Sequence, residues 1–221
     1  MSDSRRLEIW GGGLAGLSLG LALARRGWPI LLREKGAYPR HRVCGEFVCG
    51  VSDAVLSRLG LEEIFMRAES LHGMSWFHRG KEVYRGALSI SARGISRFQL
   101  DQGLAEAFRA AGGELRQHER CDLKKLPAEG VVLAAGRPAR PDGPWIGLKC
   151  HLLNFEIRDD LEMHLGPSGY VGLSRIEDGK VNLCGLFKRS DGLRGAMPSL
   201  FREYLKALGA EELVQRMSRA E

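Results

Sequence analysis

Apolar residues fill a short block from Leu7 to Trp10, break at a glycine cluster, and resume in a longer run that ends at Arg25 and Arg26. The first block has the length of a strand. The second, from Leu17 to Arg26, reads as a helix closed by Gly27, and Pro29 to Arg33 then forms a second strand that delivers Glu34. Strand, helix and strand in that order predict a βαβ unit. Ser96 opens another helix that reaches Ala111 and closes at Gly112-Gly113; its Phe98, Leu100, Leu104, Ala105 and Phe108 recur at mostly helical spacing and are read as core. Val131 to Ala135 is a further apolar run. A different pattern occupies His72 to His78, Glu82 to Tyr84, Cys150 to Ile157, Leu161 to Leu165, Tyr170 to Ser174 and Lys180 to Leu186. Turn residues at Arg79-Gly80-Lys81, Asp159-Asp160, Pro167-Ser168-Gly169 and Glu177-Asp178-Gly179 separate these segments, so they read as antiparallel strands. Trp76, Phe155 and Phe187 are candidates to line one wall of that sheet, with core packing as the alternative for each. Beyond Lys188 the pattern turns helical, over Met197 to Leu208 and Glu211 to Ser218.

Composition narrows the function classes. With 44% hydrophobic residues among 221, the chain can build a sizeable core. The net charge of +6 comes from cations dispersed among 27 acidic residues, and no basic tract is interleaved with aromatics. That excludes a nucleic-acid reader and fits a basic surface suited to anionic cofactors. Cys44, Cys49, Cys121, Cys150 and Cys184 are odd in number and lack C-x-x-C spacing, which argues against a disulfide framework and a zinc site. The six histidines do not cluster at ligand spacing, so no metal is expected. Leu14 to Ala24 is too short to span a bilayer and no cleavage pattern precedes it. The expectation is a cytoplasmic chain that contacts a membrane at most peripherally, through its basic C-terminal helix. Oligomeric state is not readable.

The first chemistry-bearing motif is Gly11-Gly12-Gly13-Leu14-Ala15-Gly16. After a strand and before a helix, Gly11 permits a tight turn, Gly13 lets backbone approach a pyrophosphate, and Gly16 lets the helix pack close to the strand. The helix start then presents unpaired N–H groups and its positive dipole end to the phosphates. Glu34, at the tip of the second strand, is placed to accept hydrogen bonds from ribose hydroxyls, and an acid there disfavours a 2′-phosphate. These residues predict a site for the ADP half of a dinucleotide.

The segments GGGLAGLSLGLALARRG, LLREKGAYPRHRVCGEF, GISRFQLDQGLAEAFRAAGGEL and VVLAAGR, in that order, resemble the geranylgeranyl reductase and flavin-dependent monooxygenase group, whose fold is that of p-hydroxybenzoate hydroxylase. The resemblance covers about two-thirds of the chain. It implies FAD as the dinucleotide and NAD(P)H as a transient reductant. It also implies that Pro39-Arg40, Arg42 and Cys44-Gly45-Glu46 run beside the flavin. Arg40 and Arg42 then read either as charges near the pyrophosphate or ribose, or as solvated loop charges. Cys44 is either a small buried residue or part of the substrate side of the flavin, and Glu46 either a helix-start charge or an acid near the substrate. Arg97, at the start of its helix, is expected to direct its side chain at the cofactor. The expected contact set is therefore Gly11, Gly13, Leu14, Ala15, Gly16, Glu34, Lys35, Arg42, Cys44, Gly45, Arg97 and Gly136.

The chain also departs from the family pattern. Ala134-Ala135-Gly136-Arg137 stands where the family has Ala-Asp-Gly-Arg, with Ala135 in place of the aspartate, so only backbone near Gly136 carries over. The stretch from Cys121 to Gly130 is short, which implies a reduced connecting sheet, and the family's later Gly-Asp element does not occur before Glu221. The expected fold class is α/β, a Rossmann-like FAD-binding βαβ domain of the p-hydroxybenzoate hydroxylase type with an antiparallel substrate sheet. Residues 1–71 and 92–146 are assigned to the first domain, 72–91 and 147–193 to the sheet, and 194–221 to C-terminal helices. The expected activity is reduction or hydroxylation of a hydrophobic isoprenoid, aromatic or polyketide-like small molecule, with no general acid or base evident among the residues. The alternative is a shortened, non-catalytic dinucleotide-binding relative.

Overall fold

The computed structural model describes residues 6–122, 124, 126, 129–137 and 143–218. Part of the short stretch from Cys121 to Gly130 lies outside them. The chain divides into two compact units, each made of several segments.

The first unit takes residues 6–41, 52–66 and 97–137 of those described. Its centre is a parallel sheet ordered β6-β2-β1-β7, from β1 (Leu7–Trp10), β2 (Ile30–Arg33), β6 (Glu114–Arg116) and β7 (Val131–Leu133). Helix α1 (Leu14–Ala24) makes the β1 to β2 crossover and starts three residues earlier than the apolar run suggested, directly on the glycine cluster. It packs through glycine: a Cβ on Gly20 would meet the rings of Phe108 at 3.1 Å and the Ile9 side chain at 3.5 Å. Those neighbours belong to β1 and to α4 (Arg97–Ala110), so α1 is held between sheet and helix. Leu100, Leu104, Ala105 and Phe108 are buried as their spacing predicted, whereas Phe98 is exposed and lies tilted against His41 with ring centroids 5.1 Å apart. Two short helices, α2 (Asp53–Leu59) and α3 (Glu62–Phe65), were not legible in the periodicity. Ser52 caps α2 through its side chain, and Gly60 ends it in the left-handed region at φ 65°.

The second unit takes residues 42–51, 67–96 and 143–218 of those described. Its seven-stranded sheet runs β3-β5-β4-β9-β10-β11-β8 and is antiparallel except for the parallel pair of β4 and β9. The strands are β3 (Phe47–Cys49), β4 (Glu69–His78), β5 (Lys81–Gly94), β8 (Trp145–Leu152), β9 (Leu161–Gly166), β10 (Gly169–Arg175) and β11 (Val181–Lys188). Strand β3 was not expected, and two further elements differ from expectation. The expected strand at Cys150 to Ile157 lies instead at Trp145–Leu152, where Ile146, Leu148, Cys150 and Leu152 alternate onto the helix-side core and Lys149 and His151 lie on the opposite face. Strand β5 extends far beyond Tyr84 and carries a register break between its pairs Ala92↔Leu71 and Ala87↔Gly73, where a bulge interrupts the alternation.

Helices α5 (Ser199–Leu208) and α6 (Glu211–Met217) cover one face of this sheet. Phe201, Tyr204, Leu205, Leu208, Leu213 and Met217 pack on Leu148, Leu152, Val171, Leu173, Val181, Leu183 and Phe187 in one core. The C-terminal helices are thus part of the sheet unit, as are residues 42–51, 67–71 and 92–96. Alternate positions on the other face expose Trp76, Trp145, Tyr170 and Leu186, the last two cross-strand partners. Of the three aromatics expected on a wall, only Trp76 lies there; Phe155 and Phe187 are buried in the helix-side core.

Candidate functional site

The glycine cluster turns the chain from β1 into α1, and its three motif glycines have different physical reasons. Gly11 sits at φ 114°, and a Cβ there would lie 2.3 Å from the Ala134 carbonyl oxygen. Gly16 faces the Gly11 carbonyl, which a Cβ would approach to 1.9 Å. Both are demanded by the fold. Gly13 is not: its φ of −84° suits any residue, and a Cβ there would meet nothing within 4 Å. The space in front of it is open. Gly136, at φ 74°, has the same clearance. No side chain caps α1 among the described residues, and Leu14 and Ala15 are half-buried and exposed. The helix start therefore offers N–H groups to an anion without competition from a capping oxygen.

Beside this mouth lies Glu34, 3% exposed. Its carboxylate accepts from Gly12 N–H at 2.7 Å, from Gly36 N–H at 2.9 Å and from the Arg40 guanidinium. Burial pushes its carboxyl up, but Arg40 and the two amides outweigh that and hold it at about 2, below the ordinary 4.5. A carboxylate has about four acceptor positions, so roughly one remains for a ribose hydroxyl. Arg40 also donates to the Gly12 carbonyl at 2.9 Å, where the Tyr38 hydroxyl donates at 2.5 Å, and lies over the Tyr38 ring at 4.8 Å. The arginine thus ties the acid to the glycine loop. Lys35, the next residue, is exposed.

Glu34 yields a first prediction. Its folded value lies below its ordinary one, so its stabilisation is complete above about pH 4.5 and is lost as pH falls toward 2, a total of about 3 kcal/mol. Urea denaturation of the wild type and Glu34→Gln should show a gap of about that size at neutral pH, closing in acid. A gap still at its full size at pH 2 would show that the charge is not its source.

Arg97 does not extend freely from its helix. It forks onto Asp101, one turn on, with Nε to Oδ1 at 2.8 Å and Nη2 to Oδ2 at 2.9 Å. Asp101 is fully buried, and Arg40 Nε lies 3.8 Å from its Oδ2. A chain of alternating charge, Glu34, Arg40, Asp101 and Arg97, therefore starts at the glycine loop, where Glu34 and Arg40 bond Gly12, and leads to the first turn of α4. Asp101 escaped the sequence reading, although its spacing of four from Arg97 was a visible signal.

Arg42, Cys44 and Gly45 belong to the second unit, so the expected contact set is split between the two. There the Cys44-Gly45-Glu46 turn is pinned to the sheet: Ser174 Oγ donates to the Gly45 carbonyl at 2.9 Å, and Asn182 Nδ2 to the carbonyls of Cys44 at 3.1 Å and Gly45 at 2.8 Å. Glu46 starts no helix. It sits in the left-handed region at φ 53°, its carboxylate fully buried against Lys149 Nζ and 2.7 Å from His151 Nε2. Cross-strand pairing puts Lys149 opposite Cys184 and His151 opposite Asn182. Burial pushes the Cys184 thiol up to about 11, and that of Cys150 likewise, so neither is a ready nucleophile. All five cysteines are unpaired. Among the described residues, no cluster of metal-ligating side chains occurs, and no helix is long and apolar enough to cross a membrane.

No family model matches the chain. It is 31% identical over 184 residues to methylenetetrahydrofolate–tRNA-(uracil-5-)-methyltransferase TrmFO of Myxococcus xanthus (strain DK1622), a match covering 77% of this chain and 35% of that protein. The chain thus spans about a third of the length of this curated relative. Solved structures with a similar fold include the tetrameric form of 2-methyl-3-hydroxypyridine-5-carboxylic acid oxygenase, at TM-score 0.69 and 18% identity over 95% of this chain and 67% of that one. A flavoprotein/dehydrogenase from Cytophaga hutchinsonii matches at TM-score 0.74 and 14% identity, over 98% of this chain and 64% of its own. With a parallel βαβ sheet in one unit and a curled antiparallel sheet in the other, the chain has the mixed α/β fold of the p-hydroxybenzoate hydroxylase-type flavoproteins.

Proposed function

We propose that the chain binds FAD through its glycine loop and belongs to a flavoprotein oxidoreductase that acts, with NAD(P)H as reductant, on a hydrophobic small molecule. The observation that carries this reading is the uncapped start of α1 behind an unobstructed Gly13, with a buried, ionised Glu34 at its side. Those groups suit a diphosphate and its neighbouring ribose. A nucleotide lacking a 2′-phosphate fits better than one carrying it, because Glu34 would repel the extra charge.

When bound, FAD supplies the two-electron redox chemistry, and the protein supplies binding and orientation. In this reading the backbone amides from Gly13 to Gly16 hold the diphosphate, and Glu34, steadied by Arg40, accepts from a ribose hydroxyl. Gly136 leaves room for close approach. Arg42, Cys44, Gly45, Lys35 and Arg97 are proposed as further contacts. The open face of the sheet, with Trp76, Tyr170, Trp145 and Leu186, supports an apolar substrate, whether isoprenoid, aromatic or polyketide-like. We further propose a geranylgeranyl reductase-like activity, on the strength of Cys44-Gly45, and a cytoplasmic location. Ala135, in place of an acidic residue, supports the second reading, a dinucleotide binder without turnover.

The test is the visible spectrum of the purified chain before and after reconstitution with FAD, with dissociation constants for FAD and ADP measured alongside. Flavin absorbance that stays with the protein, and FAD bound at least tenfold tighter than ADP, are the expected results. Equal affinities would support the second reading, since the flavin half would then find no site. Absence of binding by either would overturn both.

A further inference from the structure

We propose that Asp101 is a positioning residue for nucleotide phosphate: it aims the two arginines beside the glycine loop, so that their charge serves the diphosphate and not the nucleoside. The inference rests on the dinucleotide reading above and assigns a role to a residue that makes no contact of its own with the ligand.

The argument begins with burial. A fully buried carboxylate is costly unless its partners meet it with good geometry, and Asp101 meets Arg97 through two bonds of 2.8 and 2.9 Å. The fork uses Nε and one terminal nitrogen of Arg97, which fixes the plane of the guanidinium and removes most of its rotamer freedom. The other Asp101 neighbour, Arg40, comes from a different segment, the loop after β2, and its Nε is a buried donor without a hydrogen-bond partner, 3.8 Å from Asp101 Oδ2. Arg40 is fixed at its far end by Glu34 and the Gly12 carbonyl. One carboxylate therefore stands between two cations that approach from separate elements, one of them bonded to the loop that opens α1.

Charge decides what the arrangement favours. Glu34 and Asp101 balance Arg40 and Arg97, so the chain of four is neutral as it stands. A diphosphate arriving at the start of α1 adds negative charge, which the oriented guanidiniums and the helix end can meet without any side chain first being ordered. A nucleoside brings no such charge. Removing the Asp101 charge loosens the two-bond fork that fixes the plane of the Arg97 guanidinium, so the loss should fall on phosphate recognition.

The experiment titrates the full chain with ADP and with adenosine, following binding by NMR so that millimolar constants can be read. For Asp101→Asn, ADP affinity is expected to fall about tenfold while adenosine affinity stays within twofold. A thermal melt of each variant reports whether it folds; if Asp101→Asn does not, Asp101→Glu, which keeps the charge and displaces it by one methylene, is expected to show the same selective loss at several-fold. Equal losses for both ligands would assign Asp101 a purely structural role and overturn the proposal, as would unchanged or tighter ADP binding. A wild-type chain that bound ADP no better than adenosine would instead overturn the dinucleotide reading on which the proposal stands.

Discussion

Replacing Arg216 by methionine is expected to destabilise the folded chain by about 3–5 kcal/mol, the cost of leaving a buried carboxylate without its cation. The carboxylate is that of Glu162 on β9, whose side chain is fully buried. Both terminal nitrogens of Arg216 donate to it at 2.8 Å, the Arg158 N–H at 2.5 Å, and His164 Nε2 lies 3.0 Å away. Burial pushes the Glu162 carboxyl up, and Arg216, His164 and the amide together bring it down to about 2. Arg216 also donates to the Glu156 carbonyl at 2.8 Å and lies over the Phe155 ring at 4.9 Å, so it fastens α6 to the sheet through charge and packing at once. Urea denaturation at neutral pH would read the loss, and a double variant adding Glu162→Gln should recover much of it, because a neutral pair leaves no buried charge. The pH dependence has a definite sign. The lowered Glu162 value means that its contribution, about 3 kcal/mol, is present above pH 4.5 and drains away as pH falls toward 2. A single-variant loss below about 1 kcal/mol would mean that the pair is solvated and the burial argument wrong.

The second large effect separates two glycines three residues apart. Gly16→Ala is expected to cost about 1–3 kcal/mol, since its Cβ would lie 1.9 Å from the Gly11 carbonyl oxygen and the helix must shift away from the strand. Gly13→Ala should cost at most about 1 kcal/mol, the penalty for alanine at a helix start, because its Cβ meets nothing. The order reverses for binding. At Gly13 the new methyl group occupies the space through which a diphosphate would reach the amides of α1, and ADP affinity should drop at least tenfold in a chain that melts nearly as the wild type does. Calorimetric titration with ADP beside a thermal melt distinguishes the two glycines. If Gly13→Ala bound ADP as well as wild type, the open space before the helix would not be where the phosphates sit.

The division between what was readable and what was hidden follows the range of the interactions. The βαβ unit was legible because each part of it is local: an apolar block, glycines at fixed spacing, an apolar helix and a strand ending in an acid all lie within residues 7–34. The strands β4, β9, β10 and β11 were legible for the same reason, through alternation bounded by turn residues. Helices α2 and α3 were not, being too short to show a period. Strand β8 was displaced although Ile146, Leu148, Cys150 and Leu152 alternate onto the core, because Leu153, Phe155 and Ile157 continue the apolar pattern past its end.

The ionic partners required the folded chain. Arg40 and Arg42 looked alike in sequence, and only the turn after β2 brings the first onto Glu34 and the Gly12 carbonyl. Glu46 meets Lys149 and His151 across more than a hundred residues, and Glu162 meets Arg216 across 54. An apolar side chain announces its fate through periodicity, because burial rewards it almost wherever the core lies. A charged one does not, unless its partner lies a helical turn away as Asp101 does from Arg97: its energy depends on the position of a single partner and on how far both are removed from water, and for partners distant in sequence no local pattern records either. The path of the backbone and the place of the glycine loop could therefore be read from the residue order, whereas the choice of which acid and which base stand together was made only when the strands closed into sheets.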